Sequence, residues 1–193
     1  MTRIGFIRHG TTNWNREKRA QGHSDIPLDE IGLQEAEKLA ERIGEENWDL
    51  IYSSDLLRAQ QTAEAIGKRN DIPIYLETRL RERSGGQIEG TTEEERLVKW
   101  GADWREFELG METADSVIKR GSSFLDEVVR NHPDENILIV THGAFIKYLL
   151  TALIPQSEKA GESILNTSLS CLIKTNDSWE PELLNCTKHL IES

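Results

Sequence analysis

Two histidines close two apolar runs. Ile4-Gly5-Phe6-Ile7 ends in Arg8-His9-Gly10, and Ile137-Leu138-Ile139-Val140 ends in Thr141-His142-Gly143. Runs this short read as buried strands, and in open α/β sheets the carboxyl ends of strands face the crevice that binds ligands. An imidazole there accepts a phosphoryl group when one ring nitrogen is aimed at phosphorus and a hydrogen bond fixes the other. Phosphoryl transfer also needs fixed positive charge around the equatorial oxygens. Arg8 offers it, as a guanidinium fork that makes paired bonds to phosphate. Gly10 keeps a Cβ away from the ligand. These residues point to His9 as a nucleophile and His142 as a group that helps hold the anion. The competing readings are a solvated strand end for Arg8-His9 and a satisfied core histidine for His142.

Alternating strands and helices must carry these residues to one place. Thr2 to Arg8 reads as the first strand, and residues 11–24 as a polar loop without helical periodicity. From an N-cap at Asp29, Leu33, Ala36, Leu39, Ala40 and Ile43 fall on one helical face. Asp49 to Tyr52 is a strand, and Ser53-Ser54-Asp55 caps a helix carrying Leu56, Leu57, Ala59, Thr62, Ala63 and Ile66. Ile72 to Leu76 is a strand that Pro73 assigns to a sheet edge. Glycines and two tryptophans, Trp100 and Trp104, mark a composition shift that reads as an inserted lid of loops and short helices over about 81–116. Val117 to Asn131 is helical, Ile137 to Thr141 a strand, and Gly143 to Leu153 a helix. Leu169 to Lys174 and Pro181 to Asn185 form two last strands joined at Asn176-Asp177. The expectation is one α/β domain over 1–193, a three-layer sandwich with a mostly parallel central sheet flanked by helices.

The chain has 193 residues, of which 37% are hydrophobic and 30% charged, the balance of a globular protein with a real core. Its net charge of −11 makes nucleic acid and anionic membranes poor partners, while a few arginines in one cleft can still reverse the local field for a phosphorylated substrate. No apolar run is long enough to span a bilayer, and Arg8 and His9 interrupt the only N-terminal apolar stretch, so a signal peptide is not expected. Cys171 and Cys186 lack metal or redox spacing and read as small apolar residues in a reduced compartment, with cytoplasm the expected location. There is no HxH, HExxH or Asp-rich cluster, and Arg8 beside His9 would repel a dication, so no metal is expected. Neither GxGxxG nor a P-loop is present, so no nucleotide cofactor is indicated.

The motifs then become specific. Arg8-His9-Gly10-Thr11-Thr12-Asn13-Trp14-Asn15 resembles the signature of the histidine phosphatase superfamily, in its phosphoglycerate-mutase-like branch. Similar to the family, and in its order, are also the segments Gln21 to Asp29, Ser53 to Ala63, Leu80-Arg81-Glu82 with Glu89-Gly90, and Val140 to Gly143. The resemblance implies that His9 is phosphorylated, that Arg8, Arg58 and His142 bind the phosphate, and that Asn15 donates a further bond. It implies Glu82 as proton donor to the leaving oxygen and then as base for water, a role that requires a proton near neutral pH. Gln21, Gly22, His23 and Gly143 would border the phosphate and substrate, with a rim position the alternative for His23. Read without the family, Glu82 is a surface carboxylate paired with the arginines around it, and Glu89 is the second candidate acid. His132 and His189 receive no role.

The sequence departs from the family at Arg83, at Gln87-Ile88 and at Ala114-Asp115-Ser116, all in or beside the lid, where substrate choice is made. The reading is a metal-independent phosphatase acting on a small phosphorylated metabolite. A phosphoglycerate mutase using the same site and a non-catalytic phosphate-binding module are the rivals. The short chain and its Leu80-Arg81-Glu82 context favour the phosphatase, and the filled catalytic positions argue against the module. The individual substrate and the oligomeric state are not legible.

Overall fold

In the computed structural model, which describes residues 1–176 and 178–191, β1 (Arg3–Arg8) and β4 (Asn136–Thr141) lie side by side at the middle of one sheet. The other elements in chain order are α1 (Asn13–Arg16), α2 (Glu30–Ile43), β2 (Leu50–Ser53), α3 (Leu57–Asn70) and β3 (Ile74–Leu76), followed by α4 (Glu93–Trp100), α5 (Ala114–Asn131), α6 (Gly143–Leu153), β5 (Leu169–Lys174) and β6 (Trp179–Cys186). The sheet order is β3-β2-β4-β1-β5-β6. The pairs β3–β2, β2–β4 and β4–β1 are parallel, and β1–β5 and β5–β6 antiparallel, so the sheet is mixed and mostly parallel. β3 is the edge strand that Pro73 predicts.

Period-two alternation divides the core between the two faces. Ile4, Phe6, Ile137 and Ile139 pack with Phe124 and Val128 of α5 and Phe145 and Leu149 of α6. Ile7, Leu138 and Val140 pack on the other face with Leu39 and Ile43 of α2 and Ala59 and Ile66 of α3. Each such side chain contributes about 1.5–3 kcal/mol on full burial. Helices therefore cover both faces, as the sequence predicts, and hold the strand ends rigidly.

Several local expectations change. Leu33 is exposed rather than buried, because Gly32 occupies the inner face of α2. A Cβ on Gly32 would stand 2.0 Å from the Thr11 carbonyl oxygen, and one on Gly10 2.6 Å from the Gly32 oxygen. Gly10 thus serves this backbone-to-backbone approach, not only access to a ligand. The loop 11–24 contains α1, a single capped turn in which Thr12 and Asn15 close a capping box; four residues are too few to show a period. α3 has no cap from Asp55. Asp25 Oδ1 instead accepts from Leu57 N at 2.7 Å, and Asp55 forms an ion pair with Arg81.

α5 begins at Ala114, inside the span expected to be lid, with Thr113 as its N-cap. The lid itself is organised by Ile88, Trp104 and Leu109, with Trp100 and Met111 packed against them. Its two tryptophans therefore pack the segment together. β6 is longer than expected at both ends. Of the turn between the last strands, Asp177 lies outside the described residues.

Candidate active site

The register that sets Arg8 opposite Thr141 makes His9 and His142 the first residues past the sheet on neighbouring strands. Their ring centroids are 5.3 Å apart. His9 is buried, with Nδ1 2.6 Å from the Gly10 carbonyl oxygen. A carbonyl only accepts, so Nδ1 carries the proton and Nε2 keeps its lone pair. Burial, reinforced by Arg58 and Arg8, holds the ring well below its ordinary pKa and keeps it neutral at pH 7. His142 is held down in the same way, by burial and then by Arg58 and His9. Its Nε2 lies 2.8 Å from Ser54 Oγ.

Two guanidiniums stand beside these rings. Arg58 is fully buried, and its two terminal nitrogens donate to the carbonyls of Ser24 and Gly22 at 2.7 and 2.8 Å. Burial lowers its pKa to about 10, which leaves it charged at neutral pH. Arg8 donates from Nη1 to the Ile164 carbonyl. Gly143 makes room for it, since a Cβ there would lie 3.2 Å from Arg8 Nε. Arg8 Nε, Arg58 Nε and His142 Nδ1 are buried and engage no acceptor among the described residues. An unmade buried bond costs about 1–3 kcal/mol. The three side chains come from distant segments and gather at His9, whose pKa Arg58 and Arg8 both lower and whose ring lies 5.3 Å from that of His142.

Glu82 occupies a different kind of place. Its Oε1 accepts from the backbone N–H groups of Arg83 and Phe145 at 2.8 and 3.0 Å, and its Oε2 from Ala144 N at 3.2 Å. Ala144 and Phe145 belong to the first turn of α6, whose N–H groups have no partner within the helix and are free to donate. Among the described residues Glu82 forms no ion pair with an arginine guanidinium. Arg81 pairs with Asp55, and Arg79 with Glu77 and Glu127, so the surface ion-pair alternative is not what forms. Glu82 and Ala144 line two adjoining clefts. One, of about 190 Å³, also includes Gln21, Gly22 and Arg83; the other, of about 270 Å³, includes Arg8, Gly143 and Lys147.

Asn15 Oδ1 accepts from Thr12 N, which turns its NH2 end outward from that turn. Gln21 Oε1 accepts from Thr12 Oγ1. Gly22 carries φ +49° and presents its carbonyl to Arg58, and a Cβ there would collide with Glu89. His23 is directed at the Glu82 carbonyl, with Nε2 2.8 Å from it. Glu89 accepts from His23 N, Gly85 N and Ser24 Oγ, so it fastens a loop and is not left facing a ligand. Sequence reasoning missed Ser54, which orients His142, and Thr62, which accepts from Gly10 N and donates to the Arg58 carbonyl. Both lie inside matched motifs, but their partners are distant in sequence.

The profile of the histidine phosphatase superfamily (branch 1) matches residues 4–187. The chain belongs to that superfamily. Within it, the chain is 33% identical over 191 residues to the uncharacterized phosphatase PhoE of Bacillus subtilis, covering 98% of this chain and 97% of that one. It is 32% identical over 190 residues to the probable phosphoglycerate mutase GpmB of Yersinia pestis, covering 93% and 88%. The solved structure of a mycobacterial glucosyl-3-phosphoglycerate phosphatase complexed with VO3 superposes with a TM-score of 0.85 at 31% identity, over 95% of this chain and 98% of that chain. Phosphatase relatives support phosphatase activity, and the superfamily also includes mutases. No helix among the described residues is long and apolar enough to cross a membrane.

Proposed function

We propose that this chain is a metal-independent phosphatase that hydrolyses phosphomonoesters through phosphohistidine on His9. The observation that carries the reading is the neutral, tautomer-fixed His9 ring set beside three buried nitrogens without acceptors among the described residues. His9 Nε2 attacks phosphorus, and the bond from phosphorus to the ester oxygen breaks. Glu82 gives its proton to the leaving oxygen, so an alcohol departs. Water then attacks phosphohistidine while Glu82 takes a proton from it, the N–P bond breaks, and phosphate and neutral His9 are regenerated. Arg8, Arg58, His142 and the NH2 end of Asn15 hold the phosphoryl oxygens, and the Ser54 hydroxyl, donating to His142 Nε2, leaves the proton on Nδ1 for this purpose. Two fixed guanidiniums supply the positive charge that other phosphoryl-transfer sites take from a metal ion.

Gln21, Gly22 and Gly143 border the pocket, and the partner is a small phosphorylated metabolite. Free thiols at Cys171 and Cys186 suit the cytoplasm. Likeness to a probable mutase supports a second reading, in which the same site returns the phosphoryl group to another hydroxyl of the substrate.

The test is acid-quench and base-quench trapping during turnover of an aryl phosphate. Wild type should give a label that survives base and is lost in acid, and His9→Ala should give neither label nor turnover. Wild-type hydrolysis by His9→Ala would overturn the nucleophile. Phosphoglycerate interconversion outrunning phosphate release would favour the mutase.

A further inference from the structure

Arg120 lies on α5 and uses all five of its N–H donors. Its Nε and Nη2 grip the two carboxylate oxygens of Glu112 at 2.9 and 3.0 Å. Its Nη1 reaches the carbonyls of Arg79 and Arg81, both at 2.6 Å, and Nη2 reaches the carbonyl of Glu82 at 3.1 Å. The guanidinium also covers the ring of Phe145 at 5.1 Å from the centroid. The N–H of Phe145 is one of the donors to the Glu82 carboxylate. Arg120 therefore touches both the backbone that carries Glu82 and the residue against which its carboxylate rests.

Glu112 extends the hold. Its Oε2 accepts from Ser84 N at 3.2 Å and its Oε1 from Ser116 Oγ at 2.9 Å. Burial pushes its carboxyl up, but Arg120 and Ser116 bring it down to about 2, so the pair stays ionised. On the far side His23 meets the same Glu82 carbonyl. The stretch 79–84 has little regular structure of its own, and an irregular segment takes its position from such bonds.

We propose that Arg120, held in place by Glu112, is a positioning residue for the proton donor Glu82: by gripping the carbonyls of residues 79, 81 and 82 it fixes where the Glu82 carboxyl stands relative to the leaving oxygen. The inference rests on Glu82 being the acid, and the experiment separates the two. A poor leaving group such as an alkyl alcohol needs a well-placed proton, whereas a nitrophenolate does not.

Turnover of an alkyl phosphate and of p-nitrophenyl phosphate is measured for wild type, Arg120→Met, Glu82→Gln and the double variant. Arg120→Met should lower kcat/KM, which reports only the steps up to phosphohistidine, by roughly tenfold to 100-fold on the alkyl phosphate, as displacement of a catalytic group does. It should alter kcat/KM on the aryl phosphate much less, while kcat on both falls together wherever the water step that Glu82 also serves limits turnover. In the Glu82→Gln background it should not change the alkyl-to-aryl ratio further. Equal loss of kcat/KM on both substrates, or a ratio change that persists without Glu82, overturns the positioning role. A Glu82→Gln ratio equal to wild type would instead remove Glu82 as the acid.

Should Arg120→Met not fold, Arg120→Lys answers the same question, because it keeps a cation beside Glu112 but cannot span three carbonyls. It should shift the ratio in the same direction by a smaller factor. An unshifted ratio in that variant overturns the proposal.

Discussion

The two halves of the crevice are built on opposite terms. On the phosphate side, Arg8 Nε, Arg58 Nε and His142 Nδ1 are rigidly placed donors that no protein acceptor among the described residues engages. On the acid side, the Glu82 carboxylate takes three backbone N–H bonds, and its carbonyl takes two more contacts. One half keeps bonding capacity in reserve on sheet ends and a helix; the other is an irregular segment held by satisfied bonds. Charge on the first side acts on the transferred group itself. Placement on the second acts on the departing oxygen and then on the attacking water, never on the phosphoryl oxygens. The halves should therefore fail differently when damaged.

The largest effect separates them directly. Replacing Arg58 by Met removes a buried charge from the phosphoryl oxygens, and losing one such fixed donor costs roughly 10²–10³ in rate. The loss should be nearly the same for alkyl and aryl esters, because the phosphoryl group is common to both. Measured kcat/KM on the two esters would show this. A loss confined to alkyl esters would mean that Arg58 belongs functionally to the acid side, and the contrast would collapse.

This division also explains which parts of the site the sequence makes legible. Strand, Arg-His-Gly and strand, Thr-His-Gly are local patterns, and a parallel register converts them into neighbouring rings. Arg58 was legible only through the family resemblance, and the helix that follows β2 then brings it to the strand ends. The acid side depends on Arg120 on α5 meeting carbonyls about forty residues earlier. Backbone oxygens carry no residue type, so no motif announces them. Glu112 shows the same limit: it lies outside every matched motif, and its partner Arg120 sits eight residues on, within α5. Leu33 failed for a related reason, since only the meeting of Gly10 with Gly32 reveals which side of α2 faces inward. The α3 cap failed because Asp25 reaches it from another loop.

A middle-sized effect concerns pH. His9 and His142 are held neutral below the ordinary imidazole pKa near 6.5. As pH falls through about 6.5, the unfolded chain takes up protons there that the folded chain refuses, so stability falls. Each ring can contribute up to about 1.4 kcal/mol per pH unit until its folded value is reached. The denaturation midpoint should accordingly drop between pH 7 and pH 5, above the range in which the ion-paired carboxylates titrate. Saturating inorganic phosphate should lessen the drop, since an anion beside His142 favours its protonated form. An unchanged drop with phosphate would place the responsible histidine elsewhere, and His189, which burial and then Arg42 lower to about 4, is the alternative source. His189→Gln tells them apart, because it leaves the crevice intact.

The smallest effect tests the joint between the halves. Asp25 caps α3, the helix that carries Arg58, from the loop whose Gly22 and Ser24 carbonyls accept from Arg58 and whose His23 meets Glu82. Asp25→Ala removes a cap worth about 1 kcal/mol, a loss visible as a modest fall in melting temperature. If the loop only caps the helix, kcat on both esters should hold steady once temperature is kept well below the transition. If it also registers the two halves against each other, the alkyl ester should slow more than the aryl ester while both lose some rate, because freeing residues 22–25 loosens the Arg58 acceptors and the His23 contact together. We expect the second pattern, since one short segment supplies all four contacts and cannot shift at one without shifting at the rest.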